Sequence, residues 1–163
     1  MKTYTKFDVD ESEYLMYKRI QNLNIVNIPK LIWYDNTLKI MTTELIESLN
    51  IADQYTDDAE LVPDNIYQSI VNTIQILYNN GIVFPDITGY NFIYHDAKLW
   101  IIDFEHATDI INAAPIHKEF VQEFCSYNSE ASTTEASTEA STEASTEAST
   151  TEVIIKQWNP YFE

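Results

Sequence analysis

Residues 81–107 read GIVFPDITGYNFIYHDAKLWIIDFEHA, and the organisation of this stretch decides the fold. Two strand-like runs, NFIY and LWII, flank a polar turn near His95–Lys98. Paired as a hairpin, opposite residues have numbers summing to about 193 or 194, so Asn91 lies opposite Ile102 or Asp103. Asp86 precedes Asn91 by five residues, in the loop entering the first strand, and can reach the same end of the hairpin. Asp and Asn oxygens are the hard ligands that Mg²⁺ prefers, and Mg²⁺ takes only one or two protein groups. A further carboxylate without metal duty can orient a hydroxyl proton. Any one of these residues alone has an ordinary explanation as a turn former. Their order and spacing together point to metal-assisted phosphoryl transfer, where positioning and charge neutralisation supply nearly all the catalysis.

Upstream, Asp64 to Asn80 carries Ile66, Ile70, Ile74 and Leu77 on one helical face, with Asp64 as N-cap and Gly81 as the C′ glycine. LIWYDNTLKIMTTELI reads as a hairpin of strands 31–34 and 38–43 around an Asp-Asn turn. ESEYLMYKRIQNL spaces Tyr14, Tyr17, Ile20 and Leu23 for a helix over about 10–23. Downstream, residues 130–152 are a Glu-Ala-Ser-Thr repeat with no residue able to build a core, so an unstructured insertion is expected. VIIKQWNPYFE then returns to apolar character and is expected to dock back on the domain.

The chain has 163 residues and a formal charge of −17. Six acidic residues lie in the repeat, and the remainder still carries −11. Such a surface repels phosphate backbones and anionic lipid, which argues against nucleic acid and membrane as partners. One cysteine, Cys125, permits no intrachain disulfide and fits a reducing compartment. No apolar run reaches the length of a membrane helix. A soluble cytoplasmic protein is expected, with the nucleus also open.

The same stretch resembles the catalytic and metal-binding loops of the protein-kinase-like superfamily, whose members carry H-R-D-x-x-x-x-N followed by D-F-G. IDFEHA is similar to the forms in small fungal kinase-like proteins and in choline and aminoglycoside kinases. The resemblance implies Asp86 as catalytic aspartate and Asn91 and Asp103 as Mg²⁺ ligands. It also implies Lys6 as the lysine that holds ATP phosphates and Glu13 as its helix partner. Glu44 and Leu45 would lie at the hinge, where backbone groups bind adenine. The implied fold is α+β, a minimal protein-kinase-like fold. It has a reduced N-lobe sheet plus one helix (about 1–47) and a reduced, mainly helical C-lobe bearing the catalytic-loop hairpin (about 48–128). The repeat (129–152) and an apolar tail (153–163) follow.

The departures from the family pattern are specific. Gly81 and Gly89 are the only glycines, so no Gly-rich loop covers the phosphates. Phe84-Pro85 replaces His-Arg, Glu105 replaces the glycine of D-F-G, and Thr88 stands where protein kinases have a phosphate-binding lysine. No A-P-E segment follows. Three readings stay open: an ATP- and Mg²⁺-dependent protein Ser/Thr kinase, a pseudokinase that binds or regulates a protein partner, and a small-molecule kinase. The histidines His95, His106 and His117 are not spaced like a zinc motif.

Overall fold

β-branched and aromatic residues at the start of the chain favour extended backbone. They form strand β1 (Thr3–Lys6) in a computed structural model that describes residues 2–127 and 155–162. The Glu-Ala-Ser-Thr repeat lies outside the described residues. Helix α1 (Glu11–Leu23) follows, then β2 (Leu31–Asp35) and β3 (Ile40–Glu44). The three strands form one antiparallel sheet in the order β1-β3-β2. The expected strand from Leu38 begins instead at Ile40. The Asp35 carboxylate accepts from the Thr37 and Leu38 amides at 2.8 and 2.9 Å, and Lys39 has φ 52°, so these residues belong to the turn.

α1 is rotated relative to its expected face. Glu13, Met16, Tyr17 and Ile20 are buried, whereas Leu23 is 41% exposed. Tyr14 stacks on Tyr34 of β2 with ring centroids 4.0 Å apart. A carboxylate thus takes an inward position that an apolar count alone would leave to solvent.

The second half begins with α2 (Ile51–Tyr55) and α3 (Asp64–Asn79). Ile66, Ile70, Ile74 and Leu77 of α3 are all buried, at 5% exposure or less. Asp64 is not the N-cap. Pro63 holds that position, and the Asp64 carboxylate pairs with Lys156 at 2.6 Å. Gly81 ends the helix at φ 77°, a left-handed conformation that L side chains rarely adopt.

β4 (Ile82–Val83) then leads to the hairpin of β5 (Phe92–His95) and β6 (Lys98–Ile101). Its register is Phe92↔Ile101 through His95↔Lys98. The two-residue turn is Asp96-Ala97, both with positive φ, as a turn matching strand twist requires. β7 (Thr108–Asp109) returns to pair with β4, and α4 (Pro115–Phe124) completes the helical half. The architecture is α+β, with one core running from Val9, Met16 and Met41 through α3 to Phe84, Phe92 and Phe104. Among the described residues no helix is long and apolar enough to cross a membrane.

Gly89 is set by close approach: a Cβ there would lie 3.0 Å from the Ala52 backbone nitrogen and 3.1 Å from the Ala52 Cβ. Overpacking of this kind costs about 1–3 kcal/mol. Gly89→Ala should therefore lower stability by that amount in urea unfolding. A neutral result would show that α2 gives way freely at this contact.

Candidate active site

Lys6 ends β1, and its ammonium joins elements far apart in sequence. It donates to Glu13 of α1 at 2.9 Å and to both carboxylate oxygens of Asp103 at 3.0 Å. Glu105 is a third carboxylate, 3.5 Å away. The Asp103 carboxylate also accepts the Glu105 amide at 3.0 Å, which fixes the turn after β6. Burial opposes the charge on Lys6, yet its bonds to Glu13 and Asp103 outweigh that and hold its pKa above the ordinary lysine value. For Glu13, burial pushes the carboxyl upward and Lys6 pulls it back, with Asp103 and Glu105 adding to the upward push. Three carboxylates around one ammonium leave an excess of negative charge.

The loop bearing Asp86 is held between paired elements. β4 precedes it and β5 follows it. The Asn91 side-chain amide donates to the Asp86 backbone carbonyl at 3.0 Å. That commits the amide nitrogen to the loop, so the oxygen is the atom left to meet a cation. Asn91 pairs with Ile102 across the hairpin, through the Ile102 amide and Asn91 carbonyl at 3.1 Å, and Asp103 is the next residue. Asp86 itself is half-buried, with Thr88 Oγ1 3.5 Å from its carboxylate. Burial raises its pKa first of all, the neighbouring Asp103 charge adds to this, and Asn91, His106 and Thr88 oppose it.

Buried rings connect the two groups. Phe104 meets Tyr17 of α1 edge-on at 5.4 Å and Phe84 at 5.7 Å, and Phe84 meets Phe92 at 6.0 Å. Phe84 is thus a packing residue at the entrance of the Asp86 loop.

A cleft of about 350 Å³ lies beside this cluster, with Lys6, Asn91 and Asp103 in its wall. Glu44 and Leu45 line it too, but their amides are already engaged. The Glu44 amide donates to the Lys30 carbonyl at 2.8 Å and that of Leu45 to the Lys2 carbonyl at 3.0 Å. Ile46, next along the same wall, was not singled out in the sequence, since nothing local distinguishes it. Asp86 is not in this wall; it joins the cluster through the Asn91 bond. Cys125 lies elsewhere, and burial pushes its thiol up to about 11, which leaves it unreactive.

Residues 3–148 match the RIO domain family. The chain belongs to that family. It is thereby a member of the protein-kinase-like superfamily, and the α+β fold described above is a minimal kinase-like one. The Rio2 kinase from Chaetomium thermophilum, solved as an ADP/Mg²⁺-phosphoaspartate complex, is similar in fold, with a TM-score of 0.52 and 15% identity over 69% of this chain and 34% of that one. The Cydia pomonella granulovirus kinase PK-1 is similar at a TM-score of 0.49, with 20% identity over 66% of this chain and 42% of that one. The chain thus spans less than half the length of either structure.

Two outcomes follow from the geometry of this RIO domain. Lys6→Met leaves Glu13, 4% exposed, facing Asp103 without a cation. Breaking a buried pair this way costs about 3–5 kcal/mol. Lys6→Met with Glu13→Gln should recover most of the loss in urea unfolding, and a double variant as unstable as the single would refute the pairing.

For Asp86, the folded carboxyl holds its proton to higher pH than the unfolded chain does, so stability falls as pH rises through the window above ~3.9. Asp86→Asn should melt higher than wild type at pH 7, and the gap should close below about pH 4. A gap independent of pH would show that burial of the Asp86 charge is not its cause.

Proposed function

We propose that this RIO domain is an ATP- and Mg²⁺-dependent phosphotransferase, and that its acceptor is a Ser or Thr hydroxyl of a protein. The observation that carries the reading is the Lys6 ammonium shared between Glu13 and Asp103 in the same cleft as Asn91. A cation locked to a buried glutamate is a fixed point charge for phosphate oxygens. The Rio2 complex holds ADP and Mg²⁺, which supports the same ligands here.

The donor set fits the metal. Asn91 and Asp103 offer hard oxygens, and the Glu13, Asp103 and Glu105 carboxylates come within 4.8 Å of one another. Mg²⁺ bound there would neutralise charge on the transferred phosphoryl group. Asp86, held apart from Lys6 and half-buried, would accept or orient the acceptor hydroxyl proton. The cleft volume falls in the usual range for ligand pockets, about 300–1,000 Å³. With the Glu44 and Leu45 amides engaged, adenine would meet the Leu45 carbonyl and the backbone N–H of Ile46.

One observation favours a second reading, a regulator that binds nucleotide without transferring phosphate. Glu105, 3.5 Å from Lys6, brings a further negative charge toward the phosphate position.

Thermal melting with MgATP tests nucleotide binding, since ligand at 100 times Kd adds about 2.7 kcal/mol. A rise is expected in wild type and its loss in Asp103→Ala; no rise at millimolar MgATP would overturn both readings. Labelled phosphate should then pass to a Ser/Thr protein acceptor with wild type and not with Asp86→Ala. Binding without transfer would select the regulator, and transfer only to an amino-alcohol would select a small-molecule kinase. Hydroxylamine lability of the label would reveal an acyl phosphate, the species found in the Rio2 complex.

A further inference from the structure

Asn159 is fully buried, and it bonds to both residues flanking Asp86. Its side-chain amide donates to the Pro85 carbonyl at 2.6 Å, and its backbone N–H donates to the Ile87 carbonyl at 2.9 Å. The Asp86 carbonyl between them takes the Asn91 amide at 3.0 Å. Three successive carbonyls of the loop are therefore held by two asparagines. From these contacts we propose that Asn159 is a positioning residue for Asp86, and that Ile155–Phe162 is a strap that sets the shape of the catalytic loop.

The strap is anchored independently of the loop. Lys156 pairs with Asp64 and donates to the Val62 carbonyl, both at 2.6 Å. The Tyr67 hydroxyl donates to the Gln157 carbonyl at 2.8 Å and accepts the Gln157 amide at 2.9 Å. Trp158 is 6% exposed and packs on Tyr67 at 5.7 Å. Beyond Asn159, the Phe162 ring meets His106 at 4.9 Å and His117 at 5.7 Å.

The asparagine is itself held in one orientation. Its side-chain oxygen accepts the Tyr161 amide at 3.1 Å, and Pro160 restricts its backbone to extended conformations. An apolar residue at 159 would remove one of the two donors to the Pro85 carbonyl and leave it with the Ile87 N–H alone, at 2.8 Å. With both flanking carbonyls fixed, the side-chain torsions are the main freedom left to the Asp86 carboxylate. The strap lies beyond residue 148, where the match to the RIO domain family ends, so the family does not supply this role.

The geometry stands without the phosphotransferase reading; only its consequence for rate rests on that reading. Amide hydrogen exchange of the full chain is therefore the first measurement. Asn159→Ala should speed exchange of the Ile87, Thr88 and Asn91 amides by on the order of tenfold or more, while the β1–β3 amides keep their rates. Unchanged loop amides, or equal acceleration everywhere, would overturn the proposal.

In transfer assays the same variant should lose kcat on the order of 10–100-fold, with KM for ATP within about twofold. In an Asp86→Ala background it should cost nothing further. A kcat per folded molecule equal to wild type would also overturn it. If Asn159→Ala does not fold, Asn159→Ser, with a smaller donor, carries the same measurements. If wild type neither binds MgATP nor transfers phosphate, the proposed function falls while exchange still decides the strap.

Discussion

The Lys6 ammonium is the constraint on which the site depends. It is one positive charge between a carboxylate of α1 and the carboxylate of Asp103 in the turn after β6, ninety-seven residues from Lys6 in sequence. Without it, Glu13 would be a buried carboxylate with no cation beside it, on a helix face otherwise apolar. With it, the three-stranded sheet, α1 and the β5–β6 hairpin share a single fixed point. A long lysine gives up side-chain freedom to be held this way, and two hydrogen-bonded carboxylates offset that cost.

Apolar packing then repeats the connection that the charges make. Tyr17, Phe104, Phe84 and Phe92 run in edge contacts from α1 to the Asp86 loop to the hairpin. Asn27, in the segment leaving α1, donates to the Leu99 carbonyl at 3.0 Å and accepts the Ile101 amide at 3.1 Å. The β4–β7 pairing ties the chain just before Asp86 to the chain just after Asp103. Each link is ordinary alone. Because they converge, a shift of the hairpin would have to break charge pairs, ring contacts and backbone bonds together.

Much of this was legible in the sequence because it is local. The register of β5 and β6 follows from a two-residue turn, so a sum of residue numbers placed Asn91 beside Asp103. The face of α3 followed from its 3.6-residue period. What local pattern could not give were features decided across the fold. Glu13 turns inward where Lys6 meets it, a pairing that the family resemblance implied and the helical period did not, and Leu23 lies 41% exposed. Asp64 looks like a cap by residue type, yet Lys156 claims its carboxylate. Asn159 carries no local signal at all, since the carbonyls it bonds lie more than seventy residues earlier.

The acidic balance of the site completes the physical account. Glu13, Asp103 and Glu105 crowd around one lysine, and an arrangement with surplus negative charge at this spacing is less stable than a balanced one. Burial of Asp86 adds a second unfavourable charge nearby. A fold optimised for stability alone would replace one of these carboxylates with an amide. Braced by bonds that prevent relaxation, Asp103 in the cleft wall keeps Glu13 and Glu105 within 4.8 Å, a surplus of negative charge that a cation would offset. The stiffness of the frame matters for the same reason: if the groups could move apart, repulsion would disperse them before a ligand arrived.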